Sequence, residues 1–347
     1  MPASPEPRAI PGIVLGAFLE GWRRVLRAPV VAASMLAATF LLALPLGMVM
    51  QRSLETHLGR SVEADAAAQG WNAGWAAEYG AQAQGLGRTF SYEMLGFGGT
   101  LANLSDLLDH NGLNPILALG VATSIALWVF LSGGLLDRFA RGRPVRTAQF
   151  FSACGVYTLR FARLGIVIGA AYYALFRWLH PFLFERVYHH FTRDMTVERD
   201  AAMLRIGLYV VFLLALAVVS VIADFAKVRT VVEDRRSMLG ALGASVRFIR
   251  RRPIRVAGLL ILNALAWLVI LRLWLSVAPT AAASVWWAFL ITELYLLARV
   301  WAKLAFMASE VVFFQGELAH AHYTAAPELM WPESPAAEAI GNLSHRR

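Results

Sequence analysis

The sequence predicts an all-α polytopic membrane protein in which six transmembrane helices form three hairpins, with amphipathic helices at the cytoplasmic interface. Composition is the first reason: of 347 residues, 58% are hydrophobic and 16% are charged, whereas a soluble protein carries roughly 25% charged residues. The second reason is a set of six apolar stretches that approach the ~20 residues a helix needs to cross the hydrocarbon core. The third is an uneven distribution of Lys and Arg between those stretches.

The six stretches are separated by polar or charged connections. They are 29–50, 114–136, 164–183, 204–226, 256–277 and 284–298, the last of which stays apolar past Arg299. Since lipid offers no hydrogen-bond partner to an open backbone, we expect each stretch to be a helix. No short apolar core with a small-residue cleavage site precedes the first stretch, so we expect it to be retained as a span.

The basic residues predict the orientation of these spans. One set of connections carries 23 Lys and Arg, the other carries seven. The basic set is 1–28, 137–163, 227–255 and the segment from Arg299, and the other set is 51–113 and 185–205. Connections rich in Lys and Arg stay in the cytoplasm. We therefore predict cytoplasmic N- and C-termini and an extracytoplasmic segment 51–113.

The densest basic cluster is SVRFIRRRPIR, which has five arginines in eleven residues and directly precedes the fifth stretch. We expect Arg250, Arg251, Arg252 and Arg255 to anchor this loop and to contact anionic headgroups of the lipid bilayer. Nucleic-acid binding would require the arginines to lie on a soluble face. Because they adjoin a span instead, we predict no nucleic-acid partner.

A short apolar and basic unit precedes the first, third and fifth stretches. The three copies read GAFLEGWRRVLRAP, AQFFSACGVYTLRFARL and GALGASVRFIRRRP. Each has a helical period, so we expect three helices that lie in the cytoplasmic interface, each introducing one hairpin. The predicted organisation is an N-terminal segment with an interfacial helix (1–28), a six-span domain (29–322) and a flexible cytoplasmic tail (323–347).

The extracytoplasmic segment 51–113 is predicted to be a small helical cap. Its sequence GWNAGWAAEY places Trp71, Trp75 and Tyr79 on one face of a helix. This aromatic face fits either a platform for a partner or a helix at the outer membrane interface, where Trp and Tyr are favoured. We prefer the second interpretation.

Ionisable residues inside spans are functional candidates because burying them costs several kcal/mol. Glu293 lies deepest, with no basic residue three or four positions away. Arg272 and Arg177 are its candidate partners from other helices, and a structural pair is preferred over a proton or substrate site. Asp224 precedes Lys227 by three residues, which is typical of an ion pair at the membrane edge.

No motif points to a cofactor or a metal. The sequence lacks a phosphate loop, a dinucleotide-binding glycine motif, a zinc-protease helix and a nucleophile elbow. A di-iron bundle needs two Glu-x-x-His motifs, and only Glu317 with His320 forms one. The single cysteine, Cys154, excludes an internal disulfide. The glycine clusters in LSGGLLD and GFGGT fit close helix packing or a local break.

Four segments carry a resemblance to a known family: LSGGLLDRFARGRP, FFSACGVYTLRFARL, VVEDRRSMLGALGASVRFIRRRP and MWPESPAAEAI. Together they resemble a family of bacterial six-span integral membrane proteins that has no assigned activity. The resemblance implies a location in the bacterial inner membrane. The hairpin organisation is also similar to the membrane domains attached to some bacterial glycerophosphodiester phosphodiesterases, but the catalytic barrel of those enzymes is absent here.

Three functions remain open from the sequence. We expect a non-enzymatic scaffold or accessory subunit of a membrane assembly, with a membrane-protein partner. The alternative is a transporter or lipid-handling protein with a cavity among the spans and Glu293 as its functional residue. A third hypothesis, an enzyme acting on lipids, would depend on Asp224, Arg229 and Glu233 at the inner face.

Overall fold

The computed structural model describes residues 10–69, 72–90, 105–106, 108–109, 115–279 and 284–318. Every regular element within these residues is helical. The all-α class predicted from the sequence is therefore confirmed. The predicted tail 323–347 and the GFGGT cluster lie outside the described residues.

The helices follow one another with short connections. In chain order they are α1 (Ile10–Leu26), α2 (Pro29–Leu58), α3 (Ala64–Ala68), α4 (Ala73–Gln82), α5 (Pro115–Arg141), α6 (Thr147–Ala174), α7 (Tyr188–Thr192), α8 (Glu198–Val232), α9 (Met238–Arg251), α10 (Pro253–Val277) and α11 (Val285–Glu317). Two π-helical segments, Leu175–Leu179 and Phe182–Val187, join α6 to α7 in one continuous helical stretch. Pro181 lies between the two π-helical segments, where its missing amide perturbs the regular hydrogen-bond ladder.

Five helical segments are long and apolar enough to cross a membrane. They are Pro29–Leu58, Leu117–Arg141, Thr147–Thr192, Glu198–Val232 and Pro253–Val277. They coincide with the first five predicted stretches, apart from residues 114–116, which supports a multi-span membrane protein. The sixth stretch does form a helix, α11, but this helix is not among the five, and it carries Glu293, Arg299 and Lys303. The sixth span and the pairing of spans into three hairpins stay predictions.

The prediction of three separate interface helices is wrong for the middle copy. The first and third copies form α1 and α9, and each is followed by a helix that begins at a proline, Pro29 or Pro253. Proline suits the first turn of a helix and disfavours helical geometry in the residue before it, so the chain breaks there. The middle copy, 148–164, has no proline and is the first part of α6, which continues without interruption into the third apolar stretch.

The tightest packing lies at one end of the bundle, called the basic end here and defined by α1, α9 and the connections 142–146 and 233–237. Its core is aromatic and almost fully buried, and includes Phe139, Tyr157, Phe225, Phe248, Phe313 and Phe314. Further along the helices, large apolar side chains point outward: Leu119 is 70% exposed and Ile166 is 73% exposed. An extensive outward apolar surface is expected of helices that contact lipid. The helices therefore pack closely at the basic end and present an apolar surface outward further along.

The end of α11 is held by two of the arginines predicted to bind headgroups. The carboxylate of Glu317, whose side chain is 4% exposed, accepts hydrogen bonds from Arg252 Nε at 2.5 Å and from Arg255 Nη1 at 2.8 Å. Arg250 and Arg251 are exposed. The structure thus separates the four arginines into an internal pair, which binds Glu317, and an exposed pair.

We expect Glu317→Gln to lower the stability of the protein by about 2 kcal/mol, because two guanidinium groups lose the charge of their shared partner in a mostly buried site. The amide keeps the shape of the side chain, so the variant isolates the charge. The measurement is the thermal melting temperature of the purified protein. Glu55→Gln, at an exposed position on α2, is the control, and equal melting temperatures for both variants would contradict the expected effect.

The predicted cap is helical where it is described, and its aromatic face points inward. Trp75 and Tyr79 of α4 stack with ring centroids 5.4 Å apart and are 7% and 2% exposed. They pack on His57 and Phe90, and the Tyr79 hydroxyl lies 2.9 Å from Ser53 Oγ. These two rings therefore pack α4 against the end of α2. Trp71 lies outside the described residues.

Candidate functional site

A cavity of about 930 Å³ lies among α2, α5, α6, α8, α10 and α11. Much of its wall is apolar and includes Val129, Ile168 and Phe306. Ile125 lines the cavity and is also 59% exposed on the surface of the bundle. The cavity is therefore open, not enclosed, beside Ile125.

One face of α11 supplies most of the charge on the cavity wall. Arg299, Lys303 and Glu310 all line the cavity. Their spacings of four and seven residues correspond to one and two helical turns, so the three side chains form a stripe along the helix.

The two cations of this stripe contact aromatic rings. Lys303 Nζ lies 3.3 Å from the centroid of the Trp128 ring on α5. Arg299 Cζ lies 5.9 Å from the Trp267 ring and 5.7 Å from the Tyr295 ring. Throughout the described part of the chain, neither cation has a carboxylate within ion-pair distance. Cation–π contacts orient a cation but do not neutralise its charge.

The part of the wall that α8 contributes carries an ion pair. Lys227 Nζ donates to Asp224 Oδ1 at 2.6 Å, and both side chains are partly exposed at the cavity. The sequence prediction of this pair is confirmed. Its surroundings differ from the expectation, because the pair lines the cavity as well as lying near the end of a span.

Glu310 is the most deeply buried charged residue of the cavity wall, at 1% exposure. Its Oε1 atom is buried and has no hydrogen-bond partner in the described structure. Asp224 and Lys227 are the charged groups that act on it electrostatically. A buried carboxylate without a partner is costly as an anion, so this group needs a proton or a cation.

A buried amide ties the cavity wall together. Asn263 of α10 is 7% exposed and donates to Ser309 Oγ at 3.1 Å and to the Leu259 carbonyl at 2.9 Å. The bond to Ser309 links α10 to α11 next to Glu310, and the bond to Leu259 lies within α10. Thr39 and Ser132 add hydroxyl groups to the same cavity.

The structure does not bring the predicted partners of Glu293 together. Glu293 is partly buried on α11, does not line the cavity, and forms no ion pair within the described residues. Arg177 and Arg272 are exposed, and Arg272 hydrogen-bonds to Ser276 one turn away. Of the four intramembrane candidates predicted from sequence, only Asp224 lies at the cavity.

The inner-face set suggested for a lipid enzyme is also divided. Arg229 Nε donates to Glu233 Oε2 at 2.8 Å, and its Nη1 donates to the Ala244 carbonyl at 3.0 Å, which ties the end of α8 to α9. Burial raises the pKa of the Glu233 carboxyl, but hydrogen bonds from Arg229 and Arg235 outweigh burial, and the net shift is downward. Neither Arg229 nor Glu233 lines the cavity with Asp224.

Sequence reasoning missed Arg299, Lys303 and Glu310 because the segment from Arg299 was assigned to the cytoplasmic side. The signal was the spacing of the charges. In ARVWAKLAFMASEVV, the three charged residues fall on one face of an otherwise apolar helical stretch. That pattern predicts a helix packed in a bundle with a polar face directed inward.

No group of three or more His, Cys, Asp or Glu that could hold a metal ion occurs among the residues that the structure describes. Comparisons with protein-family models, with curated proteins and with solved structures found no match to this chain. The cavity is therefore interpreted from its own geometry.

Proposed function

We propose that this protein is a membrane protein that binds an anionic amphiphile, a lipid with an anionic headgroup, in the cavity among its helices, and that it handles or transports this lipid. The observation that carries the proposal is the pair of cations, Arg299 and Lys303, which line a largely apolar cavity and, among the described residues, contact aromatic rings without an ion-pair partner. The ligand supplies the anion that pairs with these two cations.

The charges on the cavity wall are the reason for proposing an anionic headgroup. Asp224 compensates Lys227 through the 2.6 Å contact, so the cations left for a ligand are Arg299 and Lys303. Both side chains are exposed at the open cavity, and inside a membrane a cation away from water is costly unless an anion and hydrogen bonds compensate it. A phosphate headgroup suits both groups, because guanidinium binds phosphate oxygens through two parallel hydrogen bonds and ammonium binds as a point charge.

The volume and the apolar lining of the cavity are the reasons for proposing a ligand with an acyl chain. A volume of about 930 Å³ lies in the range typical of small-molecule sites. Apolar side chains such as Val129 and Phe306 line it, and it is open beside the exposed apolar side chain of Ile125. An acyl chain can leave the cavity through this opening without entering water.

The cavity favours lipid handling or transport over a scaffold. A scaffold or accessory subunit needs an outer surface for its membrane-protein partner, and this role does not require cations that line a cavity. The sequence predicted Glu293 as the functional residue of such a cavity. We assign that role to Arg299, Lys303 and Glu310 instead, because these three residues line the cavity. Glu293 shares their helix but lies outside the cavity wall.

The membrane setting is part of the proposal. We place the basic end at the cytoplasmic face, with α11 as a sixth span and both termini in the cytoplasm, because the connections there are rich in Lys and Arg. Arg250 and Arg251 would then face anionic headgroups of the bilayer. We propose a bacterial inner membrane, which is what the resemblance to bacterial six-span proteins implies.

The test is lipid binding by the purified protein, measured by native mass spectrometry with phosphatidylglycerol and with phosphatidylcholine as probes. We expect the wild type to prefer phosphatidylglycerol. Arg299→Gln and Lys303→Gln should each weaken that binding roughly 10-fold, and the double variant roughly 100-fold, since a charge-assisted contact is worth about 1.5–3 kcal/mol. Binding of phosphatidylcholine should change little.

Arg272→Gln is the matched control, because Arg272 lies on a membrane helix but does not line the cavity. It should bind phosphatidylglycerol as the wild type does. Equal binding of the two lipids by the wild type, or full phosphatidylglycerol binding by a folded double variant, would overturn the proposal.

A further inference from the structure

Glu310 has a place in the cavity that the proposed headgroup site leaves unexplained. It is 1% exposed, it lines the cavity wall, and its Oε1 atom has no hydrogen-bond partner in the described structure. Burying a carboxyl group at this position costs free energy that an apolar residue would not cost, so packing alone does not explain Glu310. The carboxyl group is therefore available for a ligand or a proton.

The charged groups around Glu310 have other partners. From α8, Lys227 contacts Asp224 at 2.6 Å. On α11 itself, Lys303 lies over the Trp128 ring and Arg299 lies near two rings. None of these cations forms an ion pair with Glu310 within the described residues.

Among the described residues, the other helices that line the cavity with α11 contribute no further cation to its wall. From α6, Tyr172 is the titratable residue at the cavity, and α2, α5 and α10 line it with uncharged residues. Two helices carry acid–base pairs elsewhere: Glu20 with Arg24 on α1 at 3.4 Å, and Asp137 with Arg141 on α5 at 2.8 Å. Two carboxyl groups, Asp224 and Glu310, thus lie near one ammonium group, Lys227.

We infer that Glu310 is a proton-binding site coupled to the anionic ligand, so that the cavity takes up one proton at Glu310 when the anion binds and returns it to water when the anion leaves. This inference rests on the proposed function. The proton comes from the solvent and converts the carboxylate to a carboxylic acid, so that the net charge of the cavity is the same before and after binding. The cause is repulsion between the anion and the Glu310 carboxylate, which is strong where the dielectric constant is low.

The coupling fixes the direction of the pH dependence. If the ligand favours the protonated carboxyl, protonation must favour the ligand by the same factor. Affinity for the anion should therefore rise as pH falls through the range in which Glu310 takes up its proton. Glu310→Gln, which mimics the protonated form, should bind the anion at every pH in that range as tightly as the wild type does at low pH.

The experiment is a series of phosphatidylglycerol binding curves over pH for the wild type, Glu310→Gln and Glu293→Gln. The phosphodiester of this lipid remains ionised throughout, so a change in affinity reports on the protein. We expect affinity of the wild type and of Glu293→Gln to change by roughly 10-fold or more, within the usual range of coupling energies. Glu310→Gln should give a flat profile.

A second measurement detects the proton directly. Infrared difference spectra, recorded on adding phosphatidylglycerol, should show the carbonyl band of a new carboxylic acid in the wild type and in Glu293→Gln but not in Glu310→Gln. If Glu310→Gln does not accumulate, Glu310→Asp serves instead, because a second carboxylic acid shifts the band and does not abolish it.

The outcomes separate the inference from the proposed function. Selective binding of phosphatidylglycerol with the same pH profile in the wild type and Glu310→Gln would overturn the inference alone. The same holds if the carboxylic-acid band persists unchanged in Glu310→Gln. Absence of selective binding in the wild type would overturn the proposed function, and an infrared pH titration of the lipid-free protein would then show whether Glu310 binds a proton.

Discussion

Gly21→Ala is expected to destabilise the protein by at least about 3 kcal/mol, because a methyl group at this position forces two helix backbones apart. A Cβ atom built on Gly21 would lie 2.6 Å from both the Cα and the N of Ser309 on α11. These are backbone atoms at the most buried part of α11, where Leu304, Ala305 and Ala308 are 0% exposed, so no side-chain rotation relieves the contact. Small residues that allow such close approach are typical of membrane helix interfaces.

Gly16→Ala is the matched control on the same helix. A Cβ atom at Gly16 meets nothing within 4 Å, and alanine favours a helix over glycine by roughly 0.5–1 kcal/mol. We expect Gly16→Ala to melt at or above the wild-type temperature and Gly21→Ala well below it, as measured by circular dichroism of the purified protein. A Gly21→Ala variant as stable as the Gly16→Ala variant would show that α1 does not pack so closely on α11.

Gly134→Ala should have an effect of similar size, about 2–3 kcal/mol, at the contact between α5 and α6. Its Cβ atom would lie 2.6 Å from Cys154 Sγ and 2.8 Å from the Phe150 carbonyl oxygen. A Cβ atom built on Gly133, its neighbour in LSGGLLD, would lie 2.9 Å from the Ala153 carbonyl oxygen. This glycine pair fits the close-packing interpretation of the motif.

Gly155→Ala is the control on the opposing helix, since a Cβ atom there meets nothing within 4 Å. The double variant Gly134→Ala/Cys154→Ala adds a second comparison. Removing the sulfur should restore part of the lost stability but not all of it, because the Phe150 carbonyl oxygen belongs to the backbone. Full stability of Gly134→Ala alone, measured in the same melting experiment, would refute the close approach of α5 and α6.

The sequence by itself determined the features that depend on neighbouring residues. Apolar stretches predicted the helices because each helix satisfies its own backbone hydrogen bonds and only needs to match its surroundings. Pro29 and Pro253 mark the two sites where α1 and α9 separate from the helices that follow them, and both prolines are visible in the sequence. The Asp224–Lys227 pair was predictable for the same reason, since residues three apart meet on one helix face.

The partners of isolated charges were decided only by the tertiary structure. Glu317 binds Arg252 and Arg255 more than 60 positions earlier in the chain, and Lys303 lies over Trp128 on another helix. No local pattern encodes such contacts, because they depend on how far each helix extends and which face it turns inward. That is also why Glu293 seemed the deepest acid in sequence, whereas the fold buries Glu310.

The cavity is the clearest case of a feature that belongs to the tertiary structure. Six helices contribute its walls, and close approach at the basic end, through Gly21 and Gly134, draws α1 onto α11 and α5 onto α6 beside it. Helices that pack closely at one end and diverge further along leave a space whose position follows from their crossing geometry. The amino-acid sequence determined that this chain forms apolar helices with a basic end, and packing alone decided that a pair of cations and a buried carboxyl group on one face of α11 line the same cavity.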